Sequence, residues 1–260
     1  MIRTLAGTPR FGRAAALVLV ALSTFGSPAL AQRNRPQSYA PNMPYDGRYT
    51  FVRIKYDLPM DANSFRGMDV KWAHDYPRGE THFTKIVSEL STTRVRTTQS
   101  NILALDDPEL FRYPIAYMCE PGFWRPSDAE VLGLRKYLAK GGFIIFDDFA
   151  GQHWMNFETQ IRRVLPKARP VVLTTAHPIF DSFYRITSLE YEHPYYRGLK
   201  SVFYGIYEDN DPSNRLVAVI NYNNDMSEYW EFSDEGMFPL DASNEAYKLG
   251  VNYIIYALTR

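Results

Sequence analysis

The stretch GGFIIFDDFAG, residues 141–151, places two adjacent carboxylates, Asp147 and Asp148, at the end of an apolar run, Phe143 to Phe146. Three other stretches share this character. Pro114 to Met118 runs into Cys119, Glu120, Pro121 and Gly122, and the aromatic segment 202–207 runs into Glu208, Asp209, Asn210 and Asp211. Leu216 to Ile220 runs into Asn221, Tyr222, Asn223, Asn224 and Asp225, with Glu228 and Trp230 close behind. Two carboxylates can act as acid and base, and a separation of roughly 5–9 Å suits glycoside hydrolysis. The catalytic candidates are Glu120, Asp147, Asp148 and Asp209. Several carboxylates together can hold Ca2+ or Mg2+, and here the candidate metal ligands are Asp147, Asp209 and Asp225. DNDPSNR, residues 209–215, has part of the make-up of a calcium loop but lacks the spacing and closing glutamate of an EF-hand. Aromatic rings beside acids and amides suit sugars, by stacking and by hydrogen bonds to hydroxyls. The candidate ligand-binding set is Glu120, Trp124, Asp147, Asp148, Asp209, Asn223, Asp225 and Trp230. Each cluster also fits ordinary loop chemistry, because Asp and Asn accept backbone bonds in turns and cap helices.

The remaining reactive residues point to less. Cys119 is the single cysteine, so no internal disulfide forms. A thiol nucleophile needs a base to lower its pKa, whereas the neighbouring Glu120 raises it. Cys119 therefore reads as a small apolar filler at a strand end. His177, in AHPIF, titrates in a useful range but sits in a turn pattern. His82 and His193 show no paired spacing. No HExxH or two-histidine pattern occurs, so no zinc site is expected.

These side chains need strands and helices to position them. Tyr49 to Tyr56 alternates and reads as a strand, and Thr81 to Leu90 has helical spacing. Ser127-Asp128-Ala129-Glu130 has the form of a capping box that opens a helix, and Gly141-Gly142 ends that helix. Phe143 to Phe146 is continuously apolar, as a central parallel strand is. Phe157 to Leu165 reads as a helix, Val171 to Leu173 and Leu216 to Ile220 as strands, and Asn244 to Leu258 as the closing helix. Strands alternating with helices imply a three-layer, flavodoxin-like α/β domain with a mainly parallel sheet. In such a sheet the acidic strand ends collect along one edge, where ligands bind. Adjacent strand residues face opposite ways, so Asp147 and Asp148 are expected to divide: one lines the crevice, and the other caps or pairs with Arg162 or Arg163.

Residues 1–31 carry Arg3, Arg10 and Arg13, then the apolar stretch Ala14 to Leu22, then Ala29-Leu30-Ala31. This is the pattern of a signal peptide cleaved after Ala31, and the apolar stretch is too short to span a bilayer. An uncleaved membrane anchor is the alternative. Residues 32–47, polar and proline-rich, read as a flexible leader, and 48–260 as one α/β domain. Removing the three arginines from the 29 basic residues leaves 26 against 29 acidic ones, a net of −3. No basic stripe marks a nucleic-acid partner. No later segment is long and apolar enough to be a transmembrane helix, so the expected product is periplasmic or secreted.

YMCEPGFW (117–124), LRKYLAKGGFIIFDDF (134–149), DNDP (209–212), NYNNDMSEYW (221–230) and the C-terminal NEAYKLGVNYIIYALTR resemble the bacterial family known as domain of unknown function 4159. The resemblance covers about residues 48–260. More distantly, the layout is similar to the class I glutamine amidotransferase-like superfold. That resemblance implies a nucleophilic cysteine at the turn after the glycine-led strand, where this chain reads DDFAG. It therefore implies the fold without the amidotransferase nucleophile. Two functions follow. One is an exported, non-catalytic module that binds a glycan, another ligand or an envelope protein in an acid- and aromatic-lined crevice. The other is a carboxylate- or metal-dependent hydrolase acting on a glycan or other envelope substrate.

Overall fold

The computed structural model describes residues 39–58 and 69–260. The signal-peptide segment lies outside the described residues. In chain order the elements are β1 (Val52–Ile54), α1 (Arg78–Leu90), β2 (Asn101–Leu103), β3 (Ile115–Cys119), α2 (Asp128–Ala139), β4 (Phe143–Phe149), α3 (His153–Val164), β5 (Val171–Val172), β6 (Val202–Tyr207), β7 (Leu216–Tyr222), α4 (Met226–Glu231) and α5 (Leu240–Thr259). They build an α/β fold around one seven-stranded sheet of order β2-β1-β3-β4-β7-β6-β5. The first five strands in that order run parallel, while β6 is antiparallel to β7 and β5 antiparallel to β6.

The reversal at β6 has a simple cause. Only residues 208–215 separate β6 from β7, and Glu208 N–H donates to the Arg215 carbonyl at 2.9 Å. A parallel return needs a crossover of about a dozen residues or more, so this link can only be a hairpin.

Helices cover both faces. On one side α1, α4 and α5 pack together, with Phe83 of α1 stacked on Trp230 of α4 at 4.2 Å. Gly250 of α5 makes this approach possible, since a Cβ there would meet Phe83 at 2.6 Å and Trp230 at 2.7 Å. On the other side Leu134 of α2 and Phe157 and Ile161 of α3 bury Ile144 and Phe146 of β4. The continuous apolar run of β4 is thus explained by burial on both faces.

The capping box at α2 forms in full: Glu130 N–H donates to Ser127 Oγ at 3.2 Å, and Ser127 N–H donates to Glu130 Oε2 at 2.8 Å. Ser127→Ala should lower stability by about 1 kcal/mol, read as a Tm decrease of a few degrees. An unchanged Tm would show that other contacts hold the start of α2.

Part of the expected leader lies against the sheet. Met43 N–H donates to Asn101 Oδ1 at 2.9 Å, and Asn101 Nδ2 returns a bond to the Met43 carbonyl at 2.8 Å. Asn42 exchanges a similar pair with the backbone of Ile102. These bonds occupy the outer edge of β2, which would otherwise present unpaired backbone groups. Among the described residues no helix is long and apolar enough to cross a membrane.

Candidate functional site

The helix after β1 lies on one face of the sheet and the helix after β3 lies on the other. The carboxyl ends of β1 and β3 therefore open a crevice, which is where open α/β sheets bind ligands. Tyr56, just past β1, closes its floor by hydrogen bonding to the carbonyls of Cys119 (2.9 Å) and Glu120 (2.6 Å). Four residues with left-handed backbone, Asp75, Glu120, Asp148 and Asn223, lie at this edge. None is glycine; three are Asp or Asn, which reach this conformation more readily than other L-residues, and Glu120 is the exception.

β4 brings both aspartates here, but not by ending before them. The strand continues to Phe149 with a bulge: Phe146 pairs with Ile220 and Phe149 with Tyr222, and Asp148 takes φ 59° between them. The extra residue resets the alternation, so Phe149 joins Phe146 and Phe157 in the α2/α3 core while Asp147 points to the opposite face.

Asp147 is completely enclosed. Its Oδ1 accepts from Asn221 Nδ2 at 3.0 Å. Its Oδ2 accepts from the Tyr117 hydroxyl at 2.8 Å and from the N–H groups of Met226 and Ser227 at 3.0 and 3.3 Å. Burial raises its pKa and these four donors partly offset the rise, leaving it at about 6. Asp147 anchors the start of α4, and its oxygens are committed to that task.

Asp148 has different company. Its Oδ1 accepts from the Tyr196 hydroxyl at 2.6 Å, its Oδ2 accepts from the Cys119 thiol at 3.3 Å, and His74 Nδ1 stands 3.9 Å from Oδ2. His74 is held at both nitrogens, with Nδ1 2.6 Å from Glu120 Oε1 and Nε2 2.5 Å from Asp69 Oδ1. Lys71 lies 2.7 Å from Asp69 and 3.5 Å from Glu120. Behind this front rank Asp75 accepts from Ser227 Oγ at 2.6 Å, and Asp225 caps α4 by accepting from Glu228 N–H at 2.9 Å.

Acids outnumber bases in this small volume. Burial, reinforced by the charges of Glu120 and Asp75, pushes Asp148 well above the usual carboxylate range. Asp225 is raised by burial and by Asp148. Glu228 is pushed up to about 9 by burial and by Asp75. Burial would lower the His74 pKa, but its bonds to Asp69 and Glu120 outweigh it and lift the ring to about 10. Burial and the neighbouring acids also drive the Cys119 thiol upward, which removes it as a nucleophile.

Three overlapping sets of potential metal ligands appear among the described residues: His74, Glu120 and Asp148; Asp75, Cys119 and Asp148; and Asp75, Glu228 and Glu231. Within each set the ligand atoms lie within 4.8 Å of one another. The first set is the one that reaches the surface, with the His74 side chain 26% exposed and Glu120 10%.

The sequence-predicted residues divide accordingly. Glu120, Asp147, Asp148 and Asp225 come together, although Asp147 and Asp225 are occupied as anchor and cap. Asn223 lies at the same edge but is spent on the backbone, accepting from Gly151 N–H and donating to the Lys200 carbonyl. Asp209 is displaced: because β6 runs antiparallel, Tyr207 pairs with Leu216 and the 208–211 turn sits at the opposite edge of the sheet. That removes Asp209 from both the metal and the acid–base sets, and Asp211 there merely accepts from Ser213. Trp124 is fully buried against Phe146 and Trp230 is buried against Phe83, so neither offers a platform to a sugar. Arg162 pairs with Glu158 and Arg163 with Asp128, leaving neither for the aspartates. His177 caps a turn beside Tyr207 and Tyr256, away from the crevice.

The residues that sequence reasoning missed are Asp69, Lys71, His74 and Asp75, just ahead of α1, together with Tyr196. The signal for the first group was available. KWAHDYP follows the first strand, and the loop after a parallel strand belongs to the ligand edge.

No curated protein matches the chain. A family model described as "Domain of unknown function (DUF4159)" matches residues 50–258, which spans β1 through α5 and includes the whole crevice. The protein therefore belongs to the DUF4159 family.

Proposed function

We propose that this protein is an exported, divalent-cation-dependent hydrolase whose ion is held by His74, Glu120 and Asp148. One observation carries the reading: the His74 ring has its Nδ1 turned to two carboxylates and its Nε2 fixed by a third, Asp69. Metal-ligating histidines are usually held this way, with the outer carboxylate setting the ring and raising its basicity. In the cation-free protein the proton shared between His74 Nδ1 and Glu120 does the work the ion would do, and binding must displace it. Three protein ligands with one side toward solvent is the layout of a catalytic rather than a structural centre. The nitrogen donor favours Zn2+ over the all-oxygen ions Ca2+ and Mg2+ that the acids alone suggested, and the two carboxylates suit Mn2+. With Cys119 buried, water activated at the ion is the available nucleophile. A glycan or other oxygen-rich envelope molecule is the substrate class, supported by the signal-peptide pattern in the sequence of residues 1–31 and by the polar rim. The sheet order, with β2-β1-β3-β4 followed by β7, supports a flavodoxin-like and amidotransferase-like lineage for the domain.

Calorimetric titration of the full chain with Zn2+ or Mn2+ should show one ion bound. His74→Ala should weaken the affinity by roughly tenfold or more, since it removes a ligand and strands Asp69. Equal affinity in His74→Ala would reject the centre.

A second reading, a silent binding module, is favoured by the DDFAG turn, where Asp148 or Phe149 stands in place of a nucleophile. Turnover of activated esters and glycosides by the ion-loaded protein separates the two, because the silent module gives none.

A further inference from the structure

Asp148 is a candidate ligand whose two oxygens have different neighbours, one of them a neutral hydroxyl. Oδ2 is turned toward Cys119 and the His74 side, and Oδ1 is taken by the Tyr196 hydroxyl at 2.6 Å. That hydroxyl is rigidly placed. Tyr196 ends a short turn in which its N–H donates to the His193 carbonyl and its carbonyl accepts from Leu199 N–H, both at 2.9 Å. The His193 ring beneath the turn is buried against Tyr229 at 4.8 Å and Phe238 at 5.9 Å. Gly198 N–H donates to Glu192 Oε1 at 2.8 Å and closes the far end of the loop. The Tyr196 hydroxyl thus has little freedom to leave Asp148.

Resting on the centre proposed above, we propose that Tyr196 is a positioning residue that makes Asp148 a one-oxygen ligand and thereby sets which ion the centre selects. The physical argument is geometric. A carboxylate oxygen that accepts a short, fixed hydrogen bond is a poorer ligand and is held away from the ion, so only Oδ2 is offered. One-oxygen ligation suits zinc, which is usually four-coordinate with bonds of about 2.0–2.2 Å. Calcium takes six to eight oxygens and readily uses both oxygens of a carboxylate. Removing the Tyr196 hydroxyl frees Oδ1 to join the ion, which helps calcium and loosens the geometry that zinc prefers.

The test is the ratio of Zn2+ to Ca2+ affinity in the full chain, measured by calorimetry for the wild type and for Tyr196→Phe. The expected result is a shift in that ratio toward Ca2+ by roughly tenfold or more, within the range found for outer-shell partners of metal ligands. A purely structural role for Tyr196 would weaken both ions by the same factor, so an unchanged ratio overturns the assignment alone. Wild-type protein that binds neither ion overturns the centre and this assignment with it. Should Tyr196→Phe not fold, Tyr196→Met, which also lacks the donor but adapts its shape, is read in the same way.

Discussion

Asp147→Ala is expected to destabilise the protein by about 4 kcal/mol. The substitution leaves three buried donors facing a void, Asn221 Nδ2 and the N–H groups of Met226 and Ser227, while the Tyr117 hydroxyl keeps Ser227 Oγ at 2.6 Å as an acceptor. An unsatisfied buried donor costs about 1–3 kcal/mol, and water entering the space offsets part of the total. For a domain of this size each kcal/mol moves Tm by about 2–4 °C, so thermal unfolding should begin about 8–16 °C lower. Asp147→Asn should fall between this variant and the wild type. Its amide supplies one acceptor, but its NH2 group faces donors. Asn221 resists a compensating flip because its Oδ1 already accepts from the Tyr253 hydroxyl at 2.9 Å. A catalytic Asp147 predicts the reverse pattern, with lost turnover and a Tm within a few degrees of wild type. Urea unfolding of both variants decides between the roles, and a loss below about 1 kcal/mol for Asp147→Ala would end the anchoring account.

What could be read in the sequence followed from local physics. The run 143–146, the capping box at Ser127 and the glycine pair at 141–142 each determine their own structure, and all three appear where expected. The edge that gathers Glu120, Asp147 and Asp148 was legible because parallel strands share a polarity. The place of Asp209 depends on strand direction, which the eight-residue link after Tyr207 sets and which an aromatic run resembling its neighbours does not reveal. Trp124 and Trp230 resemble ligand platforms in the sequence, because composition cannot say which face of an element is covered. Each fills a different side of the sheet. His74 escaped notice for another reason. Its partners Asp69, Glu120 and Asp148 are scattered from 69 to 148, and no spacing rule joins residues that meet only when β1, β3 and β4 lie side by side.

The acid cluster itself yields the second large effect. The cation-free protein should become less stable as pH rises from about 4.5 to about 9, opposite to a protein held by ordinary ion pairs. Glu228 titrates near 4.5 when unfolded and near 9 in the fold, and Asp147 moves from 3.8 to about 6. Each group keeps in the fold a proton that the unfolded chain has already released. Its stabilisation is therefore complete below the unfolded pKa and is lost as pH climbs to the folded one. His74, raised from 6.5 to about 10, acts in the same direction over a higher window. At about 1.4 kcal/mol per pH unit for each group in its window, the decline between pH 5 and 7 should be about 3–4 kcal/mol. Asp69, held low by His74, works the other way only below pH 4. A bound ion changes the sign of the problem, because it takes deprotonated ligands and binds more tightly as protons leave. At a free ion concentration about 100 times Kd it adds about 2.7 kcal/mol to the folded state, enough to flatten most of the fall. Urea midpoints at pH 5, 6, 7 and 8, with a chelator and with Mn2+, read both effects. If stability stays level across that range with the chelator present, the buried acids are not holding protons at the fold's expense, and the strongest electrostatic reason for a cation in this crevice is gone.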